Sequence, residues 1–274
     1  MQKASWMALV MSGALTVCSW AGSNPAQILS FATSVVNYNP GALSGSELKY
    51  ANASSALGAP TLMDQYSVPI DQFYAPYETN HILLIGAGGS LTVKFDTPIR
   101  NSGANPYGAD FLIYGAYGLN ITNGEYYGAG ISDGTYYNPD GGNVRISVSQ
   151  DGVLFYTLNP TLTRQIEAGL PTDSFGQFGL APNPALNPSD LAGLDYTGMR
   201  ALYAGSAGGA GYDLSLAQDG LGGSVNLLDA SYLRVDVLDG RVKVDAFSTA
   251  VPEPSTWALG LVGAGLLWWR RKAK

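Results

Sequence analysis

The chain has 274 residues, with 35 glycines, 17 tyrosines, one cysteine, one histidine and a net charge of −7. Between residues 22 and 250, 9 basic residues stand against 20 acidic ones, a net of −11. That balance argues against nucleic acid and against anionic polysaccharide held by charge alone, and suits cations or neutral glycans.

Residues 1–21 read as a signal peptide. Lys3 supplies the positive start, Trp6 to Val17 form an apolar run, and Ser19 and Ala21 place small residues at a cleavage site after Ala21. Cys18 falls inside this segment. Leu15-Thr16-Val17-Cys18 is a poor lipoprotein signal, because Val17 stands where a small residue is wanted. With Cys18 removed, the mature chain has neither a disulfide nor a thiol nucleophile.

Residues 22–250 are of a length that one all-β domain commonly has. Period-two alternation predicts strands and turn chemistry predicts hairpins. Ile82–Ile85, the turn Gly86–Gly89 and Ser90–Phe95 read as one hairpin. Asp110–Tyr114, a continuous apolar run after Asp110, reads as a buried strand. Asn143–Ser149 and Val153–Leu158 flank Gln150-Asp151-Gly152, and Tyr232–Leu238 and Arg241–Phe247 flank Asp239-Gly240. Asp-Gly between alternating runs is a strong hairpin signal. Leu233, Val235 and Val237 are expected on one face, as are Val242, Val244 and Ala246.

Long Gly/Asn/Pro/Tyr-rich stretches separate these elements at 96–109, 115–142, 159–195 and 204–223. Loops of that length are functional or packed. Short helices are expected near 160–170 and 188–194, the latter starting at Pro188-Ser189-Asp190. No fixed-period repeat is present. The expected fold is all-β: an antiparallel β-sandwich of jelly-roll type with long loops, plus an N-terminal signal helix and a C-terminal hydrophobic helix.

Few residues point to catalysis. His81 is the lone histidine, so HExxH is absent, and no GxSxG elbow exists. Gly86-Ala87-Gly88-Gly89 and the glycine-rich 204–211 lack the lysine of a phosphate loop and read as turn and loop. Acidic pairs suited to glycoside hydrolysis are too numerous for the sequence to select one. Calcium, which takes oxygen ligands from acidic and Asn-rich loops, is the metal that the composition suits. Its candidates are Asp110 and Asp245, with Asp133, Asp140 and Asp213 as loop alternatives; the other reading is hydrogen-bonded structural carboxylates and turn aspartates. Tyr117, Tyr126, Tyr127, Tyr136 and Tyr137, with Asn120, Asn123 and Asn138, make the 115–142 loop the ligand-binding candidate, since flat rings stack on sugars and amides bond hydroxyls. The alternative is that these tyrosines cover the sheet and hold the loop. The sequons Asn52-Ala53-Ser54 and Asn120-Ile121-Thr122 are glycosylation acceptors by pattern alone.

Residues 251–274 close the chain with Pro252-Glu253-Pro254, an apolar run from Trp257 to Trp269, and Arg270-Arg271-Lys272. The run is shorter than the ~20 residues that span a ~30 Å hydrocarbon core. Tryptophans at its ends and snorkelling cations extend its reach, and the basic end belongs on the cytoplasmic side.

This tail resembles the PEP-CTERM sorting signal of Gram-negative bacteria, in the order Pro252-Glu253-Pro254, apolar segment, Arg270-Arg271-Lys272. The resemblance implies recognition by exosortase, an integral-membrane enzyme, cleavage near the motif after an inner-membrane intermediate, and display on the surface or in the matrix of an exopolysaccharide-making cell. Ala56-Leu57-Gly58-Ala59-Pro60, Gly86–Asp96, Gly108–Phe111, Val148–Gly152 and Val244–Phe247 resemble an ectodomain found among such proteins, similar to galactose-binding-like, discoidin-type jelly rolls. That likeness implies fold and no defined activity. The functional expectation is a glycan- or matrix-binding module, not an enzyme, using the 115–142 loop. The alternatives are a self-associating structural matrix protein and, third, a carboxylate-based polysaccharide hydrolase.

Overall fold

A computed structural model describes residues 27–125 and 128–252. The expected signal helix and C-terminal hydrophobic helix lie outside the described residues; among the described residues no helix is long and apolar enough to cross a membrane.

The fold is an antiparallel β-sandwich. One layer is a six-stranded sheet, in the order β1 (Ser34–Asn39), β3 (Ser90–Arg100), β11 (Asp229–Asp239), β7 (Asn143–Ser149), β8 (Tyr156–Leu158) and β10 (Ala217–Gln218). Facing it, β2 (Leu83–Gly86) pairs with β12 (Arg241–Val244), and β13 (Ala246–Thr249) continues into a ladder with β4 (Phe111–Tyr114) and β9 (Ala210–Tyr212). The short pair β5 (Leu119–Ile121) and β6 (Ser132–Tyr136) stands apart from both layers.

Alternation fills the space between the layers. Leu91, Val93 and Phe95 of β3, Ile146 and Val148 of β7, and Leu233, Val235 and Val237 of β11 meet Leu83 and Ile85, Val242 and Val244, and Phe111 and Ile113. β4 is buried on both faces: Leu112 and Tyr114 enter a second cluster with Ala181, Ala207 and Ala246. A strand covered on both sides has no polar positions, which is why its sequence is a continuous apolar run.

Two expected hairpins are corners between layers. β11 and β12 are joined by Gly240 (φ 64°), yet β11 pairs with β3 and β7 while β12 pairs with β2. Likewise β2 and β3 are joined by a tight turn (Gly89 N donates to Gly86 O, 2.9 Å) but lie in different sheets. Asp-Gly and Gly-Gly chemistry sets the local reversal, and the partner is chosen by distant strands. The phase also slips at Asp245, between β12 and β13. Phe247 therefore reaches the main core, and Ala246 turns to the second cluster instead of continuing the Val242–Val244 face.

The Asp151-Gly152 connection does lead into a paired strand, with Val148 opposite Tyr156. The second strand starts later than expected, because Asp151 Oδ1 accepts the N–H groups of Val153 (2.8 Å) and Leu154 (3.0 Å) and holds both in the turn. The expected helices are 3-10 turns at Ile166–Ala168 and Pro188–Leu191. The α-helix α1, Tyr196–Tyr203, begins with Asp195 accepting the Gly198 N–H (2.8 Å).

The sandwich has two distinct ends. At one, Arg100 N donates to Gln27 Oε1 (2.8 Å), Ser102 N to Asp110 Oδ1 (2.8 Å) and Ala250 N to Asp110 O (2.8 Å), so the first and last described residues sit together. The corners Gly86–Gly89 and Gly240 occupy the other.

Candidate functional site

At the corner end, the outer face of β2 and β12 floors a cavity of about 430 Å³. Val242 and Val244 point into the core, so Arg241 and Lys243 point out. Lys243 lies opposite Leu84 in the ladder. Over this floor come Glu47, Lys49 and Tyr50 from the 3-10 helix Gly45–Tyr50, Tyr77, and the 138–140 segment after β6.

The cations and carboxylates form one chain. Arg241 pairs with Glu47 and, at 3.4 Å, with Asp140 Oδ1. Lys243 Nζ lies 2.8 Å from Asp140 Oδ2, donates to Asn138 O (2.8 Å) and sits 5.2 Å over the Tyr117 ring. The N–H groups of Asp140 and Gly141 donate to Glu167 Oε2 at 3.0 and 2.9 Å. Burial raises the Asp140 carboxyl above the ordinary range, and the Lys243 ammonium opposes the rise. Tyr50 donates to Tyr77 O (3.0 Å), which fixes its ring, and Lys49 Nζ lies 4.9 Å over that ring. Such a wall offers fixed donors and acceptors beside aromatic rings, with its opposite charges largely paired.

Among the described residues, the tyrosines of the 115–142 loop divide between buried and exposed rings. Tyr117 is 3 % exposed in the main core, its ring 5.4 Å from that of Tyr136, and its hydroxyl accepts the Lys243 N–H (3.1 Å). Tyr136 donates to Gly169 O (2.6 Å) and packs beneath the loops. No sugar face can reach Tyr117, so these two rings anchor the loop. Tyr137 is 49 % exposed, with its ring against Gly118. Asn138 accepts from Gly118 N (3.2 Å) and donates to Ala116 O (3.1 Å), so its amide ties the loop while the residue borders the cavity. Tyr126 and Tyr127 lie outside the described residues.

The two calcium candidates are separated. Asp110 precedes β4 and Asp245 precedes β13, at opposite ends of one antiparallel ladder. Asp110 accepts from Ser102 N, Leu214 N (2.9 Å) and Asn105 Nδ2 (3.3 Å); Asp245 accepts from Thr61 N (2.9 Å) and Thr61 Oγ1 (2.7 Å). Each carboxyl is engaged by protein donors, and burial raises each to about 7. Asp133 and Asp213 cap their own turns by accepting Thr135 N (2.8 Å) and Ser215 N (2.7 Å). Among the described residues no three His, Cys, Asp or Glu side chains gather as metal ligands. His81 Nδ1 lies 3.0 Å from Glu78 Oε2.

Sequence reasoning missed Glu47, Lys49, Tyr50, Tyr77, Arg241 and Lys243. The last two carried a signal: they sit two apart on a predicted strand, opposite Val242 and Val244. The others arrive from about 160 to 200 positions away in the chain.

Of the predicted sorting residues, Pro252 is described, while Glu253, Pro254, Arg270, Arg271 and Lys272 lie outside the described residues. Residues 250–272 match the family model of the PEP-CTERM protein-sorting motif. The chain carries a PEP-CTERM sorting motif. The motif marks an exported protein that transits the membrane, is processed by exosortase and then goes to surface display. No curated protein matches the chain. The PEP-CTERM match starts at Ala250, immediately after β13, where Ala250 N donates to Asp110 O and Val251 N to Gly179 O (2.8 Å each). The sandwich therefore runs into the PEP-CTERM motif without a linker.

Proposed function

We propose that this exported sandwich is a binding module for neutral matrix glycan, and that the cavity on β2 and β12 is its site. The observation that supports the reading is the pairing of the Tyr50 and Tyr77 side of the cavity with the ion-paired row Glu47, Arg241, Asp140 and Lys243. Aromatic faces take the apolar face of a pyranose, and polar groups of fixed orientation take its hydroxyls. Four of the five charges lining the cavity are ion-paired and the fifth, Lys49, lies over the Tyr50 ring, which favours an uncharged ligand. Both cavity carboxylates are engaged by cations, which favours binding over hydrolysis. The galactose-binding-like jelly-roll resemblance accords with this reading and stays a proposal.

The test is retention of the exported protein on extracellular polysaccharide from its producing bacterium, and on an array of neutral and acidic oligosaccharides. Retention on neutral glycan, lost on Tyr50→Ala, supports the site. No retention on any glycan, together with concentration-dependent assembly of the chain alone, would replace this reading with the self-associating matrix protein.

A further inference from the structure

The end of the sandwich where the chain leaves for its sorting motif is also where large apolar side chains stand in solvent. Leu221 is 98 % exposed, Val153 86 %, Ile28 74 % and Leu228 70 %. Their placement follows from the ladders. Ser149, the last residue of β7, pairs with Tyr232, and Gln150 Nε2 donates to Asp229 Oδ1 (3.0 Å), so the 150–155 turn lies beside the start of β11. Leu228 O accepts from Asn101 N (2.9 Å), next to the Arg100–Gln27 contact. Gln218 pairs with Thr157, which carries the 219–223 turn to the same edge.

Two of these turns share one construction. In Asp151-Gly152-Val153, Asp151 Oδ1 accepts the Val153 N–H (2.8 Å); in Asp219-Gly220-Leu221, Asp219 Oδ1 accepts the N–H groups of Leu221 (2.9 Å) and Gly223 (2.8 Å). Each carboxylate is spent on its own turn, and each turn holds an apolar side chain outward. Exposed apolar residues scattered singly need no explanation, whereas a set gathered at one end marks a contact surface.

We infer that this end docks on the membrane surface while the chain is still tethered, with Val153, Leu221 and Leu228 seated among the lipid headgroups. The described chain ends at Pro252, on this side, and the apolar run of the tail begins at Trp257. Five extended steps reach about 17 Å, so a bilayer that holds the run must pass close under these turns. Asp151, Asp219 and Asp229 outnumber Arg100, which lies opposite Asp229, and this acidic balance selects a zwitterionic over an anionic surface. Docking holds Pro252 at the interface, at the depth where an integral-membrane processing enzyme works. Each seated tip multiplies the docked population by about tenfold, so a few tips alone bind reversibly once the tether is cut. This inference does not depend on the glycan reading.

The test uses the full chain with Cys18→Ser, reconstituted in phosphatidylethanolamine/phosphatidylcholine vesicles and recovered by flotation. Single Leu221→Cys and Leu238→Cys variants carry an environment-sensitive fluorophore; Leu238 is 52 % exposed at the corner end of β11. The expected result is strong quenching by lipid-borne nitroxide at position 221 and little at 238. A label at Leu228→Cys combined with Val153→Asp should show a docked fraction reduced about tenfold. Equal quenching at 221 and 238 overturns the inference. So does a chain that fails to float, or a spectral shift at 221 that follows protein concentration and ignores lipid quencher, which would assign the patch to a second copy.

Discussion

Asp110 and Asp245 close opposite ends of the ladder between β4 and β13: the Asp110 carbonyl accepts the Ala250 N–H, and the Asp245 N–H donates to the Tyr114 carbonyl, both at 2.8 Å. Both side chains are buried, and burial raises both carboxyls from the ordinary 3.8 to about 7. The folded chain therefore keeps protons that the unfolded chain releases. Their contribution is fully present below about pH 4 and is lost as pH rises to about 7.

Unfolding free energy should accordingly fall between about pH 4 and pH 7 on this account, by an amount on the order of a few kcal/mol for each carboxyl. Asp245→Asn should flatten part of that slope, because an amide can keep the contact with Thr61 without titrating. Urea denaturation across this pH range checks it; a slope unchanged in the variant would show that Asp245 does not titrate there.

Tyr117→Ala should cost about 3–5 kcal/mol, as a large ring removed from a packed core does. Tyr137→Ala, half exposed, should cost about 1 kcal/mol or less. Comparable losses for the two would contradict the finding that the tyrosine loop is anchored by its inward rings.

Arg200 makes two bonds to Asp173, at 2.8 and 3.2 Å, and the carboxylate is nearly inaccessible. Gln72 Nε2 (2.7 Å) and Phe175 N (3.1 Å) also donate to it. Arg200→Met should destabilise by about 2–3 kcal/mol, below the full cost of an unpaired buried charge because these donors remain. The midpoint in urea reports it.

How much was legible in the sequence depended on how local the cause was. The apolar run Phe111–Tyr114 announced a doubly covered strand, and Asp151-Gly152 announced a turn. At Asp239-Gly240 the same dipeptide chemistry was read as a hairpin, because turn residues set a reversal and cannot say which strand lies alongside. The extra residue Asp245 shifted the phase of one strand, and no period-two count foresees such a slip. Which rings of the tyrosine loop face inward is illegible for a related reason. Tyr117, Tyr136 and Tyr137 are chemically alike in sequence, and only the pairing of β5 with β6 decides which rings turn inward. The cavity joins Glu47 to Arg241 across the whole domain, beyond the reach of any local pattern.

Gly142 lies against the Arg241 backbone so closely that a Cβ there would overlap it. Gly142→Ala should displace Arg241, weaken the fold by about 1–3 kcal/mol and reduce glycan retention together with stability. Retention at wild-type level in this variant would separate Arg241 from the site.

The central claim is that glycan binds over β2 and β12 and not at the tyrosine loop. Calorimetric titration of neutral matrix oligosaccharide into the wild-type chain, Tyr50→Ala and Tyr126→Ala tests it most directly. The account predicts at least about tenfold weaker binding for Tyr50→Ala, the loss expected for one aromatic contact, and unchanged binding for Tyr126→Ala. Unchanged binding for Tyr50→Ala with loss for Tyr126→Ala would contradict it and return the site to the 115–142 loop.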